Sequence, residues 1–332
     1  MAARFSSPVI GDACSTSSDP EAAARENSTL HHMDVTFDYR YQSSYRHFIG
    51  TVEQKQREVN HNQVETETHL MDVNVTYDLN RRWELTGILP IMVADRNQIY
   101  TPKGYFHVAG VGDAIVGVRR WMFDPPTESG GNISFGIGVK IPTGKKNFSD
   151  KAIDAKGRPI IATADQSIQP GDGTWGFALE TQAFHPIWFK TTAYFTGSWL
   201  FAPADTNGVN TFRTRNGETV MSATDLYLWR GGLTHRVPGK LFRGMAASIG
   251  GRMEGVPVRD AFGSSNGFRR PGYAISVEPT LMYTRNRYMF SVSVPWAVER
   301  NRKTSVTDMV NHIHGDAAFA DYLLLLSVSR HF

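Results

Sequence analysis

The sequence lacks cysteine pairs, a surplus of one charge and any long apolar run. Its single cysteine, Cys14, excludes an internal disulfide framework and a zinc site built from several cysteines. With 35 basic and 32 acidic residues, the net charge of +3 is too balanced for a dedicated nucleic-acid binder. Apolar runs such as 323–326 are far shorter than the roughly 18 to 20 residues that a spanning helix needs. Nucleic acid is therefore not expected as a partner, and a helical membrane protein is a poor fit to this sequence.

The first part of the chain is small and polar. Residues 1–29 contain no apolar core of the kind that a secretory signal carries. Their composition predicts a flexible polar N-terminal tail, with a contact segment or plug as the alternative. The remaining residues, 30–332, are predicted to form one folded unit.

From residue 30 onward, apolar residues recur at every second position. Met33, Val35 and Phe37 alternate with polar residues such as Asp34 and Asp38. Successive side chains of a strand point to opposite faces, so this pattern predicts strands with one apolar and one polar face. It recurs near 71–77, 83–93, 133–141, 273–283, 288–298 and 322–332. Further strands are expected within 111–123, 174–186, 190–201, 223–236 and 244–256, where the facing is ambiguous.

The spacing of these segments indicates a membrane barrel. We count about twelve strands of roughly 11 to 14 residues, longer than usual globular strands and long enough to cross a bilayer. Long connections near 47–65, 95–110, 143–173, 202–222, 257–271 and 299–316 alternate with short ones near 79–82, 124–131, 186–189, 237–243 and 284–287. Outer-membrane barrels segregate their loops in this way. The fold class predicted is all-β, a transmembrane antiparallel up-and-down β-barrel.

Aromatic residues are expected to mark the two water–lipid interfaces. They concentrate at both ends of the predicted strands, as the girdles of membrane barrels do. The group near the short turns is Tyr77, Trp83, Phe123, Trp188, Phe189, Tyr283, Tyr288 and Phe332. The group near the long loops is Tyr41, Trp175, Phe177, Phe201, Tyr273, Trp296 and Tyr322.

If the apolar face meets lipid, the ionisable face lines the lumen. Buried charges must be paired or hydrated, which leaves two alternatives: ion pairs that seal the interior, or a hydrated channel. The predicted pore-lining residues are Asp34, Asp38, Arg40, Asp72, Asp78, Glu84, Asp113, Arg119, Lys140, Glu180, Arg252, Glu254 and Glu278.

Two loop regions carry conspicuous charge. The connection 143–173 combines lysines and arginine with nearly compensating aspartates, and it could enter the pore or stay at the surface; we expect a solvated surface loop. Arg269 and Arg270 precede a strand, and we interpret them as an interface anchor.

The last strand resembles the C-terminal signal of bacterial outer-membrane proteins. Tyr322, Leu324, Leu326, Val328 and Phe332 share one face, while Arg330 departs from the usual apolar pattern. The resemblance implies recognition by the barrel-assembly machinery through this strand.

Glycine-rich motifs extend the resemblance to about 33–332. Gly112-Asp113, the segment 139–144 (VKIPTG) and the segment 171–177 (GDGTWGF) are similar to the outer-membrane transporter family named after the meta-pathway of phenol degradation. That resemblance implies passage of small molecules, aromatic ones among them.

We therefore expect an integral protein of a Gram-negative-type outer membrane, in contact with the lipid bilayer. The predicted function is a porin-like channel for passive passage of small solutes, including aromatic or hydrophobic ones, with no cofactor and no metal. The first alternative is a plugged barrel that serves as scaffold or partner of an envelope complex.

A barrel enzyme is the other alternative. Ser265-Asn266-Gly267 resembles a phospholipase triplet, but Gly263 stands where the general base would be. His312 and His314 could face one side of an extended segment and hold a metal. Neither feature is strong, so we expect that the protein is not an enzyme.

Overall fold

A computed structural model describes residues 33–123, 130–239 and 242–332. The predicted tail, 1–29, lies outside the described residues, as does Cys14. Among the residues described, no helix is long and apolar enough to cross a bilayer.

Strands dominate the chain. They are β1 (Met33–Ile49), β2 (Val52–Glu53), β3 (Thr66–Asp78), β4 (Trp83–Gln98), β5 (Gly104–Val111), β6 (Ala114–Trp121), β7 (Asn132–Ile141), β8 (Ser149–Ile153), β9 (Pro159–Thr163), β10 (Gly176–Trp188), β11 (Thr191–Phe201), β12 (Thr206–Asn210), β13 (Val220–Ser222), β14 (Leu226–Arg236), β15 (Met245–Val256), β16 (Gly272–Arg285), β17 (Tyr288–Ser293), β18 (Trp296–Arg302) and β19 (Ala317–His331). The helices are α1 (Gln56–Val59), α2 (Val306–Val310) and a 3₁₀ turn, Gln166–Ile168.

Twelve antiparallel strands close into a barrel. Each pairs with its neighbours in chain order, and β19 returns to pair with β1 from Asp34↔His331 to Phe48↔Ala317. Two of the twelve are interrupted: β5 and β6 together form one, and β17 and β18 another. Closure pairs the two edges of this sheet with each other, and lipid could not satisfy them if they were open. The prediction of a barrel of about twelve strands is confirmed.

The apolar face points outward. Phe37, Ile137, Ile249 and Leu281 are each between 54% and 59% exposed, whereas inward neighbours such as Arg40 and Glu278 are at most 1% exposed. A soluble barrel would show the reverse. The outer surface is therefore a lipid-compatible belt around a polar interior.

The predicted aromatic groups lie at the two ends of this belt. All eight aromatic residues of the short-turn group are exposed on the outer surface or its rim. At the long-loop end, Trp296 stacks on Tyr322 and Phe177 on Phe201, with ring centroids 5.9 and 4.6 Å apart. This arrangement is typical of interfacial girdles.

The connection expected near 95–110 is shorter than predicted. β4 continues to Gln98 and pairs with β5 from Gly104, so the hairpin extends beyond the belt. Alternation in this segment is weak because Met92, Ala94, Phe106 and Val108 turn apolar side chains inward.

Candidate functional site: a lumen with two chambers

The thirteen predicted pore-lining residues lie on the barrel wall, all but Asp113 within spanning strands. Asp113 occupies the interruption between β5 and β6. Asp34, Asp78, Glu84 and Glu180 are partly exposed. The others are buried: Asp38, Arg40, Asp72, Asp113, Arg119, Lys140, Arg252, Glu254 and Glu278.

A cross-barrel ion network occupies one side of the interior. Arg40 on β1 donates to Glu254 on β15 at 2.7 Å, although β16, β18 and β19 separate these two strands along the sheet. Glu254 also accepts from Arg252 at 2.7 Å. Burial of these charges is tolerated because each carboxylate meets more than one guanidinium.

The network continues to a residue that the sequence did not single out. Arg230 on β14 forms a bidentate pair with Glu278, which also accepts from Ser293 Oγ at 3.0 Å. Arg230 was missed because inward Leu226 and Leu228 reverse the alternation that would have marked its face. An isolated arginine between apolar residues was the available signal.

A second network lies towards the short-turn end. Arg119 on β6 donates to Glu84 on β4 at 3.0 Å and lies 3.9 Å from Glu180 on β10. Trp121 Nε1 also donates to Glu84, at 2.5 Å. These contacts join β4, β6 and β10, which lie within four consecutive strands of the wall.

The three glycine motifs converge on one junction. Asp113 accepts from the backbone N–H of Gly144 at 3.0 Å and of Asp172 at 2.8 Å. Lys140 Nζ donates to Asp172 and lies 3.8 Å from Asp113. Residues far apart in sequence thus attach the long loop 142–175 to the interruption in the wall.

Glycine is required at this junction by close backbone approach. A Cβ on Gly144 would lie 2.7 Å from the Cα of Gly171 and 2.9 Å from that of Gly112. Real Cβ atoms essentially never come so close to a backbone. The three segments at Gly112, Gly144 and Gly171 can therefore meet only because none of them carries a side chain there.

The attached loop enters the barrel. Residues 164–174, which we call the constriction segment, bury Ile168 and Ala164 completely against the inner wall. The expectation of a solvated surface loop is therefore wrong for this segment, although 156–161 at the tip of the β8–β9 hairpin are exposed. Apolar contacts drive the insertion; the cluster consists of Leu70, Met92, Ala94, Phe106, Val108, Ala152, Ala162, Ala164 and Ile168.

Between the constriction segment and the long loops lies an outer vestibule of about 530 Å³. Six arginines line it, and each of five has a carboxylate partner. Arg57 meets Asp316 at 2.6 Å and Arg213 meets Glu218 at 3.0 Å. The vestibule arginines are Arg57, Arg96, Arg213, Arg215, Arg269 and Arg270.

Arg269 and Arg270 point into the vestibule, so their interpretation as an interface anchor is wrong. Arg270 donates to Asp165 of the constriction segment at 2.8 and 2.6 Å, and Arg269 pairs with Asp260. Burial alone would raise the pKa of Asp165, but attraction by Arg270 and Arg96 outweighs it and holds the pKa well below 3.8. The constriction segment is therefore tied down at both ends.

Below the constriction segment lies a smaller inner chamber of about 80 Å³. Leu70, Met92, Leu200 and Leu228 give it apolar walls, and Asp72 opens onto it. Thr68 and Leu226 of the vestibule lie two residues from Leu70 and Leu228 on the same strands. The two chambers are thus stacked along one wall.

The candidate enzymatic features have structural contacts. Ser265, 1% exposed, accepts the backbone N–H of Asp260 at 2.8 Å and has a left-handed φ of 61°. His314 contacts the carbonyl oxygen of Arg302 at 2.9 Å. Within 33–123, 130–239 and 242–332, no group of three or more potential ligands is placed to hold a metal.

No family model and no curated protein sequence matches the chain. Among solved structures, an outer membrane channel from Pseudomonas putida F1 is similar, with a TM-score of 0.61 and 10% identity, covering 92% of this chain and 97% of that one. The β domain of the Bordetella autotransporter Brka gives a TM-score of 0.50 at 12% identity, over 91% of this chain and 100% of that one.

These likenesses establish the fold: the chain is an outer-membrane-type β-barrel. The predicted fold class and the predicted barrel of the outer-membrane kind are confirmed. This fold is the one that the resemblance to the meta-pathway transporter family implies.

Proposed function

We propose that this barrel is a channel of the bacterial outer membrane that passes small solutes with apolar parts. The observation that carries the proposal is the pair of stacked chambers, one polar and one apolar, inside a wall whose outer face suits lipid. A barrel filled solely to be stable has no need of an apolar chamber beneath a charged vestibule. The likeness to the Pseudomonas outer membrane channel supports the same assignment.

In this proposal the thirteen inward residues form or brace the path. Those in the cross-barrel network hold one side closed, and those beside the inner chamber, Asp72, Asp113, Lys140 and Glu180, face the solute. The proposed partners are the lipid bilayer, small solutes and, through β19, the barrel-assembly machinery. Catalysis is not part of the proposal.

Conductance in planar bilayers and swelling of protein-containing liposomes test the channel. Ser198 lines the inner chamber, so Ser198→Trp is expected to lower conductance by filling it. Phe195→Trp places the same side chain on the lipid face, where Phe195 is 41% exposed, and should conduct like the unaltered protein. Absence of conductance and swelling in the unaltered protein would refute the channel.

A plugged scaffold is the second candidate, and the cross-barrel network favours it. A plugged scaffold predicts a folded barrel without conductance, so the same bilayer measurement distinguishes it from a channel.

The orientation follows the loop rule, with long loops outside the cell. Trypsin added to intact cells should then cut at Lys156 or Arg158, in the exposed tip of the β8–β9 hairpin. It should spare Arg285 and Arg287 at the β16–β17 turn. The reverse pattern would invert the orientation.

A further inference from the structure

Two carboxylates face each other across neighbouring strands of the inner wall. Asp38 on β1 and Asp72 on β3 are direct partners in the antiparallel register. Both are buried, at 9% and 4% exposure. Two carboxylates directly opposite each other repel when both are ionised, and burial makes that repulsion stronger.

The same place holds acceptors that lack donors. Asp72 Oδ1 and Asn74 Oδ1 have no hydrogen-bond donor among the described residues. Asn74 Nδ2 donates to Asp38 Oδ2 at 2.6 Å. The amide therefore satisfies an oxygen of Asp38 and not one of Asp72. Buried acceptors of this kind are rare in native proteins and call for an explanation.

Nearby arginine does not meet this need. Arg40 attracts Asp72 electrostatically, but it donates to Glu254 at 2.7 and 3.1 Å and to Gln42 at 2.7 Å. Asp72 is thus near a cation whose described hydrogen bonds go elsewhere. A ligand that brings several donors and a positive charge would satisfy the carboxylate.

The chamber around Asp72 defines the rest of that ligand. Leu70, Pro90 and Met92 provide apolar contact beside the carboxylate. The other ionisable lining groups are Asp113, Asp172, Glu180 and Lys140, so carboxylates outnumber ammonium groups. Lys140 is held by Asp172. The lining therefore favours a cation over a neutral or anionic solute of the same shape.

We propose that the inner chamber binds a small organic ammonium, a primary amine with a compact apolar body, whose N–H groups donate to Asp72. As a statement about which solute passes, this rests on the proposed channel function. As a statement about binding, the proposal depends only on the chamber and on the buried acceptors that have no donor among the described residues.

Calorimetry on the purified, folded protein in detergent tests the site with three probes of similar shape. Benzylamine carries the cation, benzyl alcohol is neutral and benzoate is anionic. We expect benzylamine to bind about tenfold or more tightly than benzyl alcohol, a difference that one charge-assisted hydrogen bond supplies. Benzoate should not bind.

Two variants locate the binding. Asp72→Asn keeps the shape and removes one of two opposed charges, so the barrel should fold while benzylamine affinity falls about tenfold or more. Glu67→Gln makes the same change of charge on the other face of β3, where the Glu67 side chain is 45% exposed, and should bind benzylamine normally.

Equal affinity for benzylamine and benzyl alcohol would overturn the proposal, as would unchanged benzylamine affinity in Asp72→Asn. Conductance separates this site from the channel function. A conducting barrel without Asp72-dependent binding refutes only the ammonium site. A barrel that binds benzylamine but never conducts refutes only the channel.

Discussion

The outer vestibule and the inner chamber share one barrel wall but treat charge differently. In the vestibule five of the six arginines have a carboxylate partner, as Arg57 has Asp316 and Arg269 has Asp260. In the chamber, Asp72 Oδ1 has no hydrogen-bond donor among the described residues, although charges of both signs lie nearby. The difference teaches that the number of charges says little about function. A buried charged group without a hydrogen-bond partner is more informative.

The largest effect is expected where pairing in the lumen is most complete. Glu254→Gln removes a carboxylate that two buried guanidiniums share, and it should lower the free energy of unfolding by about 3–5 kcal/mol. Urea unfolding, followed by the mobility difference between folded and unfolded barrel on gels, measures this. Glu67→Gln, on an exposed side chain, should change stability by at most about 1 kcal/mol. Similar losses in both variants would mean that the network contributes no more than a surface charge.

A smaller effect is expected at the junction that divides the chambers. Gly144→Ala puts a Cβ among the backbones of Gly112 and Gly171, which should cost about 1–3 kcal/mol and loosen the constriction segment. Single-channel conductance should then rise. Gly87→Ala is the matched control, because a Cβ there meets no atom within 4 Å. Unaltered conductance in Gly144→Ala would show that the junction does not hold the segment in place.

The vestibule pairs predict a dependence on pH. The pKa of Asp165 is held well below 3.8, and the pKa of Asp316 is also lowered, since the hydrogen bond from His47 and attraction by Arg57 outweigh the opposing effect of burial. A lowered pKa stabilises the fold above the unfolded value and loses that contribution as the pH falls through the folded value. Near-ultraviolet circular dichroism of the vestibule should therefore stay constant from pH 7 to about 4 and change only below that. Asp165→Asn should weaken the low-pH change, and a low-pH change of the same size in this variant would contradict the assignment.

The smallest effect is expected at Arg215. It is exposed and, among the described residues, has no ion-pair partner. Arg215→Gln should leave stability within about 0.5 kcal/mol and shift ion selectivity slightly towards cations. Because exposed charges are screened beyond about 10 Å at 0.1 M salt, the shift should disappear in reversal potentials measured at high salt. A shift that persists at high salt would place Arg215 within the path itself.

Much of the barrel was predictable because lipid imposes a simple rule. Outward residues such as Phe37 and Ile137 must be apolar, so strand number, closure and facing follow from alternation. The rule failed where the inner chamber is itself apolar. Leu200 and Leu228 point inward, and the facing of 190–201 and 223–236 stayed ambiguous for that reason.

The path of the long loop was not predictable for a different reason. Lys140 and Asp113 were expected to face inward, but their partner Asp172 looked like one of several compensating loop charges. Only the tertiary contact of Gly112, Gly144 and Gly171 brings it to the wall, and no local pattern encodes contacts between segments so far apart.

The interruption between β5 and β6 has a practical consequence for anyone who wishes to widen this protein. At Gly112 and Asp113 the wall gives up regular pairing, and the inserted loop supplies the replacement through Thr143 Oγ1, which donates to the Gly112 carbonyl and accepts from the Ala114 N–H. Deleting the loop would therefore not simply open the lumen. It would also remove the hydrogen bonds that complete the wall at this interruption. A wider lumen is better sought by shortening side chains such as Ile168 while the loop stays in place.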